Sequence, residues 1–203
     1  VTNPPIDPFR EKVVMSLQCP IGPEANLLQP SAQQVHRLWL MHPILSIADL
    51  EVLKLTNHRN WSSQVIDITF PASQGPSGLV ARLQSICEET EKASDKHEII
   101  ILSDRAASAE RVPISSLLAL GAIHHHLLET RARMKVALIV ESGEAREVHH
   151  MSLLLAYGAD AVCPYLIFEL AYSLRDSGIL DSNFTDELIF QNFAYSMQTG
   201  ISK

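Results

Sequence analysis

Beyond residue 45 the apolar residues follow two rhythms, short unbroken runs and stretches spaced by three and four. The runs predict strands and the spaced stretches predict helices. Val65–Phe70 (VIDITF) is β-branched and closed by Pro71, Glu98–Leu102 (EIIIL) is almost wholly apolar, Val136–Val140 (VALIV) is a third run, and Ala161–Pro164 begins a fourth. A run apolar at every position is a strand buried on both faces. Between them, Leu79, Leu83, Ile86 and Cys87 share one helical face, with Glu88, Glu89 and Glu91 outside it. Gly75-Pro76-Ser77-Gly78 reads as the loop before that helix. Further helices are expected from Ile114 to Arg131 and from Ala145 to Tyr157, the second stopped by Gly158, and then over 166–177 and 185–199. Thr185 precedes Asp186 and Glu187 as an N-cap, and Ser46 with Asp49 forms a capping box for a short helix ending near Thr56.

The order is therefore one helix, then β-α four times, then one more helix. Alternating buried strands and helices imply a parallel sheet with right-handed crossovers. Either a small open three-layer sheet or half of a (β/α)₈ barrel satisfies this, since four strands cannot close such a barrel. Residues 141–162 (ESGEAREVHHMSLLLAYGADAV) favour the second, because they resemble the late βαβ unit of phosphate-binding barrels such as the flavin-dependent oxidoreductases. Those barrels place glycines after the last strands so that backbone N–H groups reach a phosphate. Here Cys163-Pro164-Tyr165 follows instead, and proline has no N–H to offer. The expected fold class is α/β, with parallel β-α units forming an incomplete (β/α) barrel-like domain behind a proline-rich extended arm.

That arm, residues 1–45, holds seven of the eleven prolines, together with Ile6, Phe9, Val13, Val14, Leu17, Leu27 and Leu28. Proline makes it irregular, and the apolar residues make it an ordered segment that wraps another surface. The 203 residues are 46% hydrophobic and 19% charged, enough for a sizeable core and too apolar for disorder. A net charge of −7 with no basic run argues against a nucleic-acid partner. No apolar stretch reaches the roughly 18–20 residues of a membrane span. Cys19, Cys87 and Cys163 are odd in number and form no CxxC pair, which suggests a reducing compartment. The chain opens on Val1 and closes on Lys203 directly after an amphipathic stretch, so it is expected to be a piece of something longer.

Candidate chemistry is sparse. His124, His125 and His126 are consecutive, and on a helix they diverge by about 100° each, so they do not converge on a metal. Ser103, Asp104 and Arg105 end one strand, while Glu141, Ser142 and Gly143 end the next, with Glu144 and Arg146 close behind. That edge of a parallel sheet is where sites form. Asp104, Arg105, Glu141, Glu144 and Arg146 read as an ion-paired network fixing loops, in preference to an acid/base site, because no nucleophile or metal set accompanies them. Cys87 is expected in the core. Cys163, at a strand end, is expected to be partly accessible, and a catalytic thiol there would want a nearby His or cationic group, for which His149 and His150 are candidates by sequence. No P-loop, GxGxxG, GxSxG or HExxH motif occurs.

Several longer stretches carry a resemblance: Val1–Pro8 (VTNPPIDP), Arg37–Ser46 (RLWLMHPILS), Ile100–Arg105 (IILSDR), Val112–His126 and Glu141–Tyr165 (ESGEAREVHH through GADAVCPY). Together they resemble the large subunit of glutamate synthase, over nearly the whole chain. The resemblance implies the central domain of that subunit. It implies a parent oxidoreductase that converts L-glutamine, 2-oxoglutarate and two electrons to two L-glutamates, using FMN and a 3Fe-4S cluster. It places this chain between an amidotransferase domain and an FMN-binding domain, with residues 1–45 as an interdomain arm and 46–203 as an α/β domain cut before the FMN domain. The fragment itself is then expected to be non-catalytic, to hold no cofactor or metal, and to contribute to an ammonia tunnel, with Thr2 and Asn3 as tunnel-facing candidates. Electrons would come from a small subunit, a fused reductase region or ferredoxin. A cytoplasmic setting is expected, with a plastid as the alternative. Set against this are a free-standing small α/β enzyme using Asp104, Arg105 and Glu141, and a regulatory module that binds a phosphate ligand.

Overall fold

A computed structural model describes residues 14–26 and 28–203. Eight strands and six α-helices are found there: β1 (Cys19–Ile21), β2 (Leu38–Leu40), α1 (Ile47–Lys54), β3 (Ser63–Asp67), β4 (Thr69–Pro71), α2 (Gly75–Ala93), β5 (Ile99–Ser103), β6 (Arg111–Pro113), α3 (Ser116–Glu129), β7 (Ala137–Glu141), α4 (Val148–Ala156), β8 (Ala161–Cys163), α5 (Tyr165–Asp176) and α6 (Asp186–Ile201). The central sheet is parallel, with strands in the order β3-β5-β7-β8. Chain order and spatial order coincide, so every crossover steps the same way. Right-handed crossovers stepping one way place all their helices on one face, as in a (β/α) barrel. The fold is α/β and barrel-like, and its four strands do not close.

The two faces of the sheet are consequently covered by different things. On the outer face Ile66, Ile100, Leu102, Leu138, Val140 and Val162 pack against α2, α3 and α4, through residues such as Ile86, Leu120, Ile123 and Met151. On the inner face Ile99, Ile101, Ala137, Ile139 and Ala161 pack against Leu50 and Leu53 of α1, and against Ile21 and Leu45 of the N-terminal segment. A complete barrel would fill this face with its other strands. Here β1 and β2, an antiparallel pair, and α1 fill it. Residues 43–45 also extend the sheet: Ile44 bridges Val162 in parallel, with Val162 N–H donating to Pro43 O at 2.8 Å and Leu45 N–H donating to Val162 O at 2.9 Å. From that edge α1 leads the chain to β3 at the opposite edge.

The N-terminal segment is held at defined points. Gly22 has φ of +119°, and a Cβ there would collide with the Trp61 ring, so glycine is required both for backbone and for space. Arg37 donates to Pro20 O at 2.9 Å and pairs with Glu24 at 2.6 Å, and Glu24 N–H reaches Met134 O at 2.7 Å.

Local signals explain most element ends. Ser46 and Asp49 make the capping box of α1, and Thr185 caps α6 by accepting from Leu188 N–H. Gly158, at φ +110°, ends α4. Three expectations change. Gly75–Gly78 is the first turn of α2 and not a loop, because Pro76 has its φ preset for a helix and lacks only an N–H that the first turn does not use. The run Val65–Phe70 splits in two, since Asp67 Oδ1 accepts from Thr69 N–H at 2.8 Å, and β4 then pairs antiparallel with β6. Cys163 is fully buried where partial accessibility was expected, because β8 lies beneath the N-terminal segment and its thiol faces Ser46 O.

Replacing Gly22 with Ala is expected to cost about 1–3 kcal/mol in chemical denaturation and to shift the emission of Trp61, whose ring the arm covers. A variant with unchanged midpoint and spectrum would show that the arm is not anchored there.

Candidate functional site

Side chains paired across a parallel sheet share a face, so the inner face can be read in layers. The lower layers are apolar, as in Ile101, Ile139 and Ala161. The layer at the C-terminal edge is polar: Asp67, Ser103, Glu141 and Cys163 are consecutive register partners. This is the layer from which a barrel builds its active site, and most of the expected cluster lies on it or just above it.

Glu141 is its centre, with a side chain only 1% exposed. Its Oε1 accepts from Arg105 Nε at 2.7 Å and from Lys54 Nζ at 3.1 Å. Its Oε2 is buried with no protein partner. Lys54 also holds Glu51, at 2.9 Å, and Arg105 also holds Glu169, at 2.8 Å, while lying 4.3 Å over the Tyr165 ring. Both cations that face the buried carboxylate are therefore already shared with surface carboxylates.

Asp104 forms a second knot. It accepts from Gly143 N–H at 2.9 Å, from Ser142 Oγ at 3.3 Å and from the Tyr165 hydroxyl. Burial raises its carboxyl above the usual range, and these donors, which favour the anion, only partly offset that. Burial, and then the neighbouring Asp104 charge, raise the Tyr165 hydroxyl as well. Glu144 adjoins the Asp104 knot, its backbone N–H donating to Ser142 Oγ at 3.0 Å. Its Oε2 accepts from Ser116 N–H at 2.8 Å and from Ser115 Oγ at 3.3 Å, at the start of α3. A helix N-terminus attracts anions, and this one is taken by the chain's own carboxylate. Arg146 is not drawn into the Glu141 pairs; its recorded bond is from its backbone N–H to His150 Nδ1, at 3.2 Å.

The cluster has little to work with chemically. The Cys163 thiol is pushed up to about 12 by burial and, next, by the Glu141 charge, so it is no nucleophile near neutrality. His124, His125 and His126 diverge: Arg133 Nε donates to His124 Nδ1 at 3.1 Å, His126 meets Glu91 at 2.7 Å, and His125 is exposed. No group of three His, Cys, Asp or Glu able to hold a metal occurs among the described residues. Thr2 and Asn3 lie outside the described residues. Lys54, Glu169 and Tyr165 were not foreseen in the cluster. Tyr165 lies two residues past the end of β8, a position that could have marked it, whereas nothing local ties Lys54 to a strand 87 residues away.

The whole chain, residues 1–203, matches the family model described as glutamate synthase central domain. It is 46% identical over 206 residues to "Glutamate synthase [NADH]" of Schizosaccharomyces pombe, covering 100% of this chain and 10% of that protein. It is 40% identical to "Glutamate synthase [NADPH] large chain" of Bacillus subtilis, covering 100% of this chain and 13% of the other. It is 38% identical to "Ferredoxin-dependent glutamate synthase" of Pyropia yezoensis, covering 84% of this chain and 11% of that protein. The chain thus spans about a tenth of the length of the curated relatives it matches.

Two outcomes follow from the geometry. Lys54→Met leaves buried Glu141 with Arg105 as its one cation and should lower stability by about 1.5–3 kcal/mol in urea titration; a loss below about 1 kcal/mol, the size of an exposed pair, would mean the pair is dispensable. Asp104→Asn should gain on the wild type as pH rises. An acid with a raised folded-state value favours folding fully below its unfolded value and loses that contribution as pH climbs through the folded one. The stability difference should therefore be pH-independent in strong acid and move in favour of the amide variant above the ordinary carboxylate range; a difference that stays flat from acid to neutral pH would refute the raised value.

Proposed function

The chain belongs to the glutamate synthase central domain family, and from that premise we propose that it is the non-catalytic coupling domain of a glutamate synthase. The parent enzyme would convert L-glutamine, 2-oxoglutarate and two electrons to two L-glutamates. The observation that carries the coupling role is the state of the polar layer. At the edge where a barrel would receive substrate, Glu141 is held by Lys54 and Arg105, and the start of α3 is occupied by Glu144. The inner face below is filled by α1 and the N-terminal segment. A half-barrel plugged by its own chain serves better as a scaffold than as a reaction chamber.

In this reading residues 1–45 form the interdomain arm and 46–203 the α/β domain, between amidotransferase and FMN-binding domains of the same polypeptide. FMN and the 3Fe-4S cluster belong to the rest of that polypeptide. The cysteines here do not suit a cluster, since Cys163 is buried and Cys19 is pushed up to about 11 by burial and then by Asp160. Pro164 and Glu144 likewise leave little for a flavin phosphate at the strand ends. The relatives carry NADH, NADPH and ferredoxin in their names. The electron donor is accordingly set outside this domain, by a small subunit, a fused reductase region or ferredoxin. The compartment would be the cytoplasm or a plastid; among the described residues no helix is long and apolar enough to cross a membrane.

Ammonia released from glutamine would have to reach the flavin site without escaping to water. Thr2 and Asn3 are our candidates for lining that path. The test is made on the native polypeptide containing this chain, which should form glutamate from glutamine and 2-oxoglutarate with reductant. In it, Thr2→Val should leave glutamine hydrolysis intact while less glutamate forms per glutamine consumed. No glutamate synthesis would overturn the family function for this protein; synthesis with unchanged coupling in the variant would remove Thr2 from the path.

A further inference from the structure

The first described residues run along a groove of about 460 Å³. Met15 and Leu17 line it from the N-terminal segment, Met41 from the position after β2, and Tyr195 and Thr199 from the last turns of α6. Met15, Met41 and Tyr195 are 52%, 71% and 68% exposed, and Leu17 is half-buried. Large apolar side chains scattered singly are ordinary on a surface; several gathered along one groove mark an interaction site. Gln18 Nε2 donates to Met41 Sδ at 3.7 Å, which ties the start of the described chain to the β2 side of the groove. Residues 1–13 lie outside the described residues. Their sequence joins the chain at this place, since Val13 stands two positions before Met15. Ile6, Phe9 and Val13 recur by three and four, the rhythm of a single apolar face, and Glu11 and Lys12 fall off it.

We infer that residues 6–13 of this chain fold back into the groove, with Phe9 as the anchor against Met41 and Tyr195. Reach, tether and size select this occupant. Phe9 stands five residues before Val14, so it stays within about 18 Å of it in any conformation. A segment attached at the mouth of its own groove has an effective concentration in the millimolar range. A second copy has no such advantage in dilute solution, and docking it brings together two chains of net charge −7. Ten residues line the groove, whereas a stable interface between copies or domains takes about 20–30 residues a side. A short segment carrying a few large side chains matches that size, and the face of a domain does not. The inference adds a fixed seat to the interdomain arm of the coupling reading, and it needs no activity of the parent enzyme.

Photochemical cross-linking of the full-length polypeptide is the experiment, with p-benzoylphenylalanine in place of Phe9. That side chain keeps the aromatic bulk, and under near-ultraviolet light its ketone inserts into C–H bonds that it touches. The expected product joins position 9 to Met41, or to the Tyr195–Lys203 end of the chain, within one molecule. Attachment to residues outside 1–203 overturns the inference in favour of a neighbouring domain. A product of twice the mass that disappears on dilution overturns it in favour of a second copy, and the absence of any attachment overturns it outright. Oxidation by hydroxyl radicals, which follows side-chain exposure, gives a second readout, with buried Met151 as the standard for an intact fold. Met41 and Tyr195 should be protected in the wild type, keep that protection in Phe9→Leu and lose it in Phe9→Asp. Protection that survives Phe9→Asp refutes the seat, and so does a wild-type Met41 that reacts as its exposure here dictates. Should Phe9→Asp expose Met151 as well, the cross-link decides. Failure of this inference leaves the coupling reading standing, because glutamate formation is measured separately.

Discussion

Everything in this molecule follows from a sheet that is apolar on both faces but receives crossover helices on only one. Four parallel strands in sequential order put α2, α3 and α4 outside. Ile99, Ile101, Ile139 and Ala161 on the inside still have to leave water, at roughly 25 cal/mol for each Å² of apolar surface. A barrel meets that demand with four more strands. Here it is met by chain that precedes the sheet: the β1–β2 pair, residues 43–45 as an added edge, and α1 laid across the face.

The same demand shapes the polar edge. Once α1 covers the inner face, its last turn arrives above the strand ends and brings Lys54 to Glu141. A carboxylate 1% exposed needs such partners, because water cannot reach it and Lys54 and Arg105 supply the compensation that solvent would otherwise give. Asp104, Ser142 and Gly143 knot the β7–α4 loop, and Glu144 reaches back to the start of α3. The result is an edge whose charged groups are engaged with one another in place of a substrate.

Much of this was legible in the sequence where physics acts locally. EIIIL and VALIV could only be strands buried on both faces, and Ser46 with Asp49 and Thr185 with Leu188 N–H are caps written within four residues. The coming together of Asp104, Arg105 and Glu141 could be expected because strand ends in a parallel sheet share an edge. What escaped was set by distance along the chain. The strands β1 and β2 are three residues each and declare no periodicity. Nothing near Cys163 announces that residues 43–46 will cover it, nor does anything near Lys54 announce Glu141. The Asx turn at Asp67 was a local signal, hidden inside an otherwise uniform β-branched run.

The pairing of Ile44 with Val162 gives the chain an order of assembly. During synthesis residues 43–45 leave the ribosome well over a hundred residues before the strand they pair with. At about 5–20 residues per second that is a wait on the order of ten seconds. Through that interval Ile21, Leu45 and Leu50 have no complete sheet to cover, and the inner face has no finished edge. A segment made before the sheet is thus among the last to settle, and the apolar face it will plug is a natural client for a chaperone until β8 emerges.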